Sequence, residues 1–409
     1  MKRVLIFSLA YYPDVVSGAE VAIKEITDRI SSEEVNFDMV TLRYDSTLPA
    51  FERVGNVNVY RIGIAISGPN IADLSKFPLS INKYLFPIIA SRKARKLHRE
   101  KHYDGMWAMM ANYAGFAAFF FKRRHKKVKF LLSLQESDPI EYIKHRVRFF
   151  APLLSRTFRN ADFVQTISHY LAGFARNMGY RGPLEVIPNA VNVKHFSQDY
   201  SDQELFIFKQ RLGKKEGDTF LITTSRMVQK NAVDEVIRAL TLLPENVKFL
   251  VLGIGPDEEM LRALAKKLGV ENRVQFLGQV LHTDMPKYLN VADIFIRPSR
   301  SEGLGNSFLE AMAAGVPVIA TPVGGIPDFL ADPDANPDRE PTGLFAEIDN
   351  PASIARQIKR LIDDRELRTR LFTNGRTLVI EKYDWSLIAR MMKEKVFGRL
   401  LAENTTQKV

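Results

Sequence analysis

Short apolar runs take turns with amphipathic segments along almost the whole chain, and this alternation constrains the fold more than any other feature. In the first half the runs are VLIFSLA (4–10), FDMVTLRY (37–44), VNVYRIG (57–63), GMWAMM (105–110), VKFLLSL (128–134), DFVQTIS (162–168) and LEVIP (184–188). Helical patterns fall between them at 19–32, 89–102, 114–124, 140–158 and 169–178. The second half repeats the scheme with FLITTS (220–225), VKFLVLG (247–253), VQFLG (274–278) and DIFIRPS (293–299), separated by helical patterns at 232–243, 257–268 and 284–290. Runs this short and this apolar suit strands covered on both faces, so each half reads as a parallel sheet wrapped by helices. The polar stretch NAVNVKHFS (189–197) reads as the link between a domain at 1–190 and a second at 191–385. Residues 386–409 read as a helix returning to the first domain, ending in a frayed tail, and the acidic ADPDANPDREP (331–341) as an exposed loop. Two such sheets in series would leave a cleft between their strand carboxyl ends, where ligands of open α/β sheets bind.

The stretch 297–325, RPSRSEGLGNSFLEAMAAGVPVIATPVGG, concentrates the chemistry. It reads as a strand end, a glycine-broken loop, a helix with its N-cap at Asn306 or Ser307, a buried strand and a second glycine loop. A loop feeding a helix amino end offers free N–H groups and the positive end of the helix dipole, which suit a phosphate. Glu302 in the loop and Glu310 in the helix add acceptors for hydroxyls, so the pattern points to a phosphorylated, polyhydroxylated ligand. Gly18 in SGAE, and Gly253 and Gly255 in VLGIGPDEE, stand where backbone can approach a ligand closely. Glu258 occupies the place of the third glycine of a dinucleotide fingerprint, which disfavours nicotinamide binding. Arg226 closes FLITTSR and Lys230 follows four residues on, a pair of candidate diphosphate cations.

With these motifs in view, the chain resembles the family-4 glycosyltransferases over nearly its full length. The resemblance is carried by the glycine loop before the first helix, SRMV (225–228), IPNAVNVKHF (187–196) and above all SEGLGNSFLEAMAAGVPVIATPVGG (301–325). It implies an α/β GT-B fold of two facing Rossmann-like, doubly wound parallel-sheet domains with an interdomain cleft. It also implies a retaining, metal-independent enzyme that takes its sugar from a nucleotide-sugar and needs no cofactor. By the same resemblance Glu310 would hold the ribose hydroxyls, and Glu302 with the backbone of Gly303, Leu304, Gly305 and Asn306 would sit on the donor sugar and diphosphate. Arg226 would neutralise the leaving diphosphate, and Gly18 would approach the donor from the other domain. Breaking a glycosyl phosphate bond loads charge onto the leaving group while the sugar becomes oxocarbenium-like, so preorganised cations and N–H groups suit the task.

The chain departs from the family pattern twice. The family's RLxxxKG appears as RMVQKNA, with Asn231 and Ala232 in place of the lysine and glycine, and its first-domain His-Asp appears as Gln135-Glu136, the candidate acceptor-side pair. A catalytically impaired relative or a UDP-sugar epimerase is the alternative these departures leave open.

Charge separates the two halves. Residues 1–190 hold 28 Lys and Arg against 17 Asp and Glu, whereas the remainder balances at 30 of each. The cations interleave with aromatics at 92–102, 119–130 and 143–159, and Arg123, Arg124, Lys126, Lys127, Arg146, Arg148, Phe149 and Phe150 are the candidate membrane-facing residues. The expected partners are a nucleotide-sugar, a lipid-linked or glycan acceptor and an anionic membrane surface, in a cytoplasmic protein peripheral to the membrane. Nucleic acid is the rival polyanion, but no zinc motif, RNP pattern or helix-turn-helix signature supports it. The absence of cysteine excludes disulfides, zinc-thiolate sites and a cysteine nucleophile. No apolar run reaches the roughly 20 residues that span a bilayer, and the first strand is too broken by polar residues to read as a signal peptide.

Overall fold

The structure, a computed structural model, describes residues 1–13, 17–69, 73–74, 76–142 and 150–402. The chain divides into two compact units, Met1–Asn189 together with Trp385–Val409, and Ala190–Asp384.

In the first unit eight strands form one sheet: β1 (Lys2–Phe7), β2 (Val35–Leu42), β3 (Phe51–Val54), β4 (Val57–Ile62), β5 (Gly105–Met109), β6 (Lys129–Leu134), β7 (Phe163–Thr166) and β8 (Leu184–Val186). Their order is β3-β4-β2-β1-β5-β6-β7-β8, parallel throughout except for the β3–β4 hairpin. Helices Gly18–Asp28, Asn82–Lys101, Tyr113–Lys122, Ala151–Asn160 and His169–Asn177 connect them. The last part of the chain, from Trp385, belongs to this unit; the Phe397 ring packs edge-on against Phe37 at 5.7 Å and Trp107 at 5.5 Å. The hairpin strand β3 has no counterpart among the apolar runs, because its four residues sit at the sheet edge with alternating exposure.

The second unit contains β9 (Thr219–Thr224), β10 (Val247–Leu252), β11 (Val274–Gly278), β12 (Ile294–Arg297), β13 (Val318–Ala320) and β14 (Leu344–Phe345), in the order β11-β10-β9-β12-β13-β14 and all parallel. Leu221, Phe249, Val251 and Ile296 from its strands meet Val236, Ile237, Ile354 and Ile358 from its helices in one dry core. The loop 331–341 is largely exposed, but it hangs on a buried residue. Asp332 accepts N–H bonds from Asp334 and Ala335 through Oδ1 and from Phe345 through Oδ2, at 2.6–3.2 Å.

One device recurs in both units. Asp104, Asp162 and Asp293 each stand immediately before a strand, β5, β7 and β12. Each donates its backbone N–H to the carbonyl of the second residue of the adjoining strand (Arg3, Phe130 and Phe220, at 2.8–2.9 Å). Each then accepts that same residue's N–H through its carboxylate, at 2.6–2.8 Å. Parallel strands cannot be joined by a tight turn, so their starting register needs such a clasp. Lys122 and Lys214 complete two of the clasps with 2.6 Å contacts to Asp162 and Asp293.

Candidate active site

In the second unit the candidate donor-site residues gather at the carboxyl ends of the neighbouring strands β9 and β12. Arg226, two residues past β9, is exposed, and its guanidinium makes no bond to any described residue. The loop that carries it is held from two sides. Asn231 is buried and donates its amide to the Arg226 carbonyl at 2.7 Å, so the residue in the family's lysine position shapes this loop. Ala232, in the family's glycine position, keeps a left-handed backbone at φ 53°. From the other side, a Cβ on Gly253 or Gly255 would fall 2.1 Å from the carbonyl oxygen of Ser225 or Met227. These two glycines therefore let the loop after β10 lie directly on the backbone that presents Arg226.

Arg300, which the sequence reading passed over, clamps the same loop to the chemistry-bearing stretch. Its N–H donates to the Lys230 carbonyl at 2.7 Å, and its guanidinium holds Asp234 at 3.0 Å and contacts Glu235 and Asp349. The bonds to Asp234 and Asp349 hold its charge firmly in place by raising its pKa.

Past β12, Glu302 is buried and paired with Arg297, Oε2 to Nη2 at 2.8 Å. Arg297 is itself buried, donates to Ser307 Oγ at 2.7 Å and lies 4.4 Å over the Phe308 ring. Sequence reasoning missed this residue as well. The helix that follows runs Asn306–Ala313, and its N-cap is Gly305 rather than Asn306 or Ser307. Gly305 sits at φ 95°, which a side-chain cap would resist, so no side chain caps this helix. The N–H groups of Leu304, Gly305, Asn306 and Ser307 consequently find no acceptor among the described residues. Gly303 is buried at the loop's centre, its N–H only 3.3 Å from its neighbour's carboxylate Oε1. The second glycine loop closes over this one: a Cβ on Gly324, at φ 56°, would lie 1.7 Å from the Glu302 carbonyl oxygen. Only glycine fits there.

Glu310 lies one turn into the helix, half-buried, with His282 Nε2 3.7 Å from its Oε1. His282 stacks on His195 at 5.2 Å, and both rings stand edge-on to Phe196. The hydroxyls of Thr223, Thr224, Ser225 and Ser299 and Arg297 Nε are buried at these strand ends without a partner among the described residues. Free N–H donors, an unpaired guanidinium, carboxylates and unpartnered hydroxyls thus share one edge of the sheet, an arrangement able to hold a sugar and its phosphates.

The first unit presents its own carboxyl edge. Gly18 opens the helix Gly18–Asp28, capped by Ser17 in a capping box with Glu20. Gln135 and Glu136 follow β6 and are buried. Gln135 is fully engaged with Asn189 in a reciprocal amide pair, at 2.9 and 2.7 Å. Glu136 Oε1 accepts the Ala111 N–H at 2.9 Å, whereas its buried Oε2 has no partner among the described residues. Burial lifts the Glu136 carboxyl above its ordinary value of 4.5. A carboxyl raised on folding keeps its proton when the unfolded chain has lost it, so stability falls as pH rises from about 4.5 toward the folded value. Glu136→Gln is expected to flatten that slope and to raise stability at pH 8 by about 1 kcal/mol, read as melting temperature against pH from 5 to 8. A slope unchanged from wild type would show that another group sets it.

Of the candidate membrane-facing residues, Arg146, Arg148 and Phe149 lie outside the described residues. Arg123, Arg124, Lys126 and Lys127 are exposed in the turn ahead of β6, at the sheet edge opposite Gln135 and Glu136, and Phe150 is exposed beside the helix Ala151–Asn160. Among the described residues no group of three or more His, Asp or Glu side chains is placed to hold a metal ion.

Two Rossmann-like units, each a largely parallel sheet joined by helices, define the class, and comparison with solved structures agrees. The sucrose-phosphate synthase of Thermosynechococcus elongatus superposes with a TM-score of 0.83 at 20% identity, over 98% of this chain and all of that one. Family models place the chain within that class. "Glycosyl transferases group 1" matches residues 206–378 and "Glycosyl transferase 4-like domain" matches residues 17–190. The chain belongs to this glycosyltransferase family and is a sugar-transferring enzyme. An uncharacterized glycosyltransferase of Methanocaldococcus jannaschii, MJ1607, is 26% identical over 95% of this chain and 96% of its own length. A GDP-mannose-dependent alpha-(1-6)-phosphatidylinositol monomannoside mannosyltransferase of Mycobacterium tuberculosis is 30% identical over 60% of this chain and 64% of its own length, slightly under two thirds.

Proposed function

We propose that the enzyme transfers a sugar, with retention of anomeric configuration, from a nucleoside diphosphate sugar to a lipid-linked or glycan acceptor in cell-surface glycan or glycolipid synthesis. One observation carries the reading: unpartnered N–H groups at the start of Asn306–Ala313 and the unpaired Arg226 occupy the ends of adjoining strands, with Glu310 one turn on. In this reading the N–H groups and Arg226 take the diphosphate, Lys230 adds charge from the same loop, and Glu310 accepts from the ribose hydroxyls. Glu302, held by Arg297, faces the sugar. As the bond from the anomeric carbon to the phosphate oxygen breaks, its electron pair goes to the diphosphate. The acceptor hydroxyl bonds to that carbon on the same face and its proton passes to the departing phosphate. Glu136, with its free oxygen, is the first unit's candidate contact for the acceptor.

The mannosyltransferase relative is named for a phosphatidylinositol-based acceptor, and the cationic excess of the first half agrees with an acceptor presented at an anionic membrane. Among the described residues no helix is long and apolar enough to cross a membrane, so attachment in this reading is peripheral.

A thermal-shift screen against UDP-, GDP- and ADP-sugars tests the donor. At about 100 times its Kd a true donor stabilises by about 2.7 kcal/mol, a shift of roughly 5 °C or more, and Glu310→Ala is expected to abolish most of it. A donor whose shift survives in Glu310→Ala would overturn the ribose assignment.

A further inference from the structure

We propose that an exposed apolar rim on the first unit inserts into an anionic bilayer, and that this rim, not the basic turn 123–127, is the membrane contact. The inference rests on the membrane-presented acceptor of the proposed function and names the surface that serves it.

The rim begins where the helix Asn82–Lys101 starts. Asn82 fastens that start to the end of β4: its Oδ1 accepts the Ile64 N–H at 2.8 Å and its Nδ2 donates to the Ile64 carbonyl at 2.7 Å. The helix buries Phe86, Ala90, Ala94 and Leu97 against the sheet. Its outer face carries Tyr84, Leu85 and Ile88 at 57%, 41% and 48% exposure, followed by the exposed Arg92, Lys96 and Arg99. Phe77, 81% exposed, precedes it. Beneath the surface two buried rings, Tyr113 and Phe116, tie this face to Phe150 along the same edge of the sheet: Tyr84 meets Tyr113 edge-on at 5.7 Å, Tyr113 meets Phe116 at 6.3 Å, and Phe116 meets Phe150 at 6.4 Å. Phe150 is 47% exposed.

Large apolar side chains gathered on one exposed edge mark a docking surface, and the charges beside them select its partner. The helix Asn82–Lys101 holds seven Lys and Arg and a single carboxylate, Glu100. At about 1.5 Å per residue, Arg92, Lys96 and Arg99 stand roughly 6 to 17 Å beyond Ile88 along the axis. With the apolar end about 5–10 Å into the interface, these cations reach the lipid phosphates. Lys83, 5.1 Å from the Tyr84 ring centroid, sits where its ammonium can snorkel to the same layer. Exposed rings alone would also suit the bases of a nucleic acid, but Leu85 and Ile88 are aliphatic and 41% and 48% exposed, surface that a phosphate backbone leaves in water and a bilayer buries. The basic turn 123–127 lies at the far ends of the strands, about 20 Å away along β6, so a bilayer resting on it would face away from Gln135 and Glu136. The rim shares their edge.

Flotation with phosphatidylcholine vesicles, with and without phosphatidylglycerol, separates the two surfaces. The wild-type enzyme is expected to float with the anionic vesicles. The triple variant Tyr84→Ser/Leu85→Ser/Ile88→Ser is expected to lose roughly tenfold or more of that binding, while Arg123→Gln/Arg124→Gln/Lys126→Gln/Lys127→Gln keeps most of it. Donor-induced thermal shift, unchanged in both, shows that the fold and donor site persist. The proposal is overturned if the triple variant floats like wild type, if only the quadruple variant fails to float, or if the triple variant instead abolishes self-association or RNA binding of the wild type. Wild-type protein that ignores anionic vesicles yet glycosylates a water-soluble acceptor would overturn the rim and leave sugar transfer standing.

Discussion

Replacing Arg226 by alanine is expected to lower kcat about a hundredfold to a thousandfold, the effect of removing one preorganised group that meets charge developing in the transition state. The guanidinium is exposed and makes no bond to any described residue, so its loss should leave the melting temperature within a degree or two of wild type. Stability and activity are thereby separated, which few charged residues here allow. Arg226→Lys tests the role more finely, because an ammonium restores the charge but not the two-pronged geometry. It is expected to recover part of kcat. The measurement is release of nucleoside diphosphate under saturating donor; a kcat within threefold of wild type in Arg226→Ala would remove Arg226 from the reaction.

Arg297 predicts the opposite pattern. Both members of its pair with Glu302 are buried, and the arginine also ties Ser307 at the helix start and covers Phe308. Arg297→Met would leave the Glu302 charge without compensation in a dry site, at a cost of about 3–5 kcal/mol. In a unit of this size that lowers the melting temperature by roughly 10 °C, and activity falls with it because the loop that offers its N–H groups loses its anchor. The double variant Arg297→Met/Glu302→Leu removes the orphaned charge as well. It should regain most of the stability, since a buried pair is often no more stabilising than apolar residues of the same volume, while sugar transfer stays lost. A single variant melting within 2 °C of wild type would show that Glu302 does not depend on its arginine.

The fold was legible because nearly every buried strand is a short, almost continuous apolar run, whereas most helices between them alternate buried and exposed positions. The edge strand β3 was not, since FERV alternates exposure and lacks that mark. At the site, the two glycine loops and the pair Glu302 and Glu310 stand out in the sequence because the loops flank one helix and the carboxylates lie just before it and within it. The supports do not. Arg297 ends an apolar run and looks like a solvated strand end, and nothing in the chain announces that its carboxylate lies five residues on. Gln135 meets Asn189 across 54 positions. Gly253 and Gly255 read as room for a ligand, whereas the structure fills their Cβ directions with the backbone of Ser225 and Met227. The N-cap moved to Gly305 because side-chain rules favour Asn or Ser, while the backbone there demands a positive φ. For Gln135 and the two glycines the missing information is a contact between segments, and for Arg297 and Gly305 it is the path of the loop itself; periodicity along the chain carries neither.

The clasps of Asp104, Asp162 and Asp293 act as punctuation. Each marks the residue at which a strand begins and names the neighbour it must join, because one aspartate grips both polar groups of a single peptide-bearing residue next door. Slipping that strand by one position would break two bonds at once and turn every following side chain to the other face of the sheet. The three aspartates therefore fix, from the far ends of the strands, where Glu136, Arg226 and Glu302 emerge, and an aspartate one residue ahead of an apolar run becomes a phase mark by which the two halves of the chain can be aligned with each other.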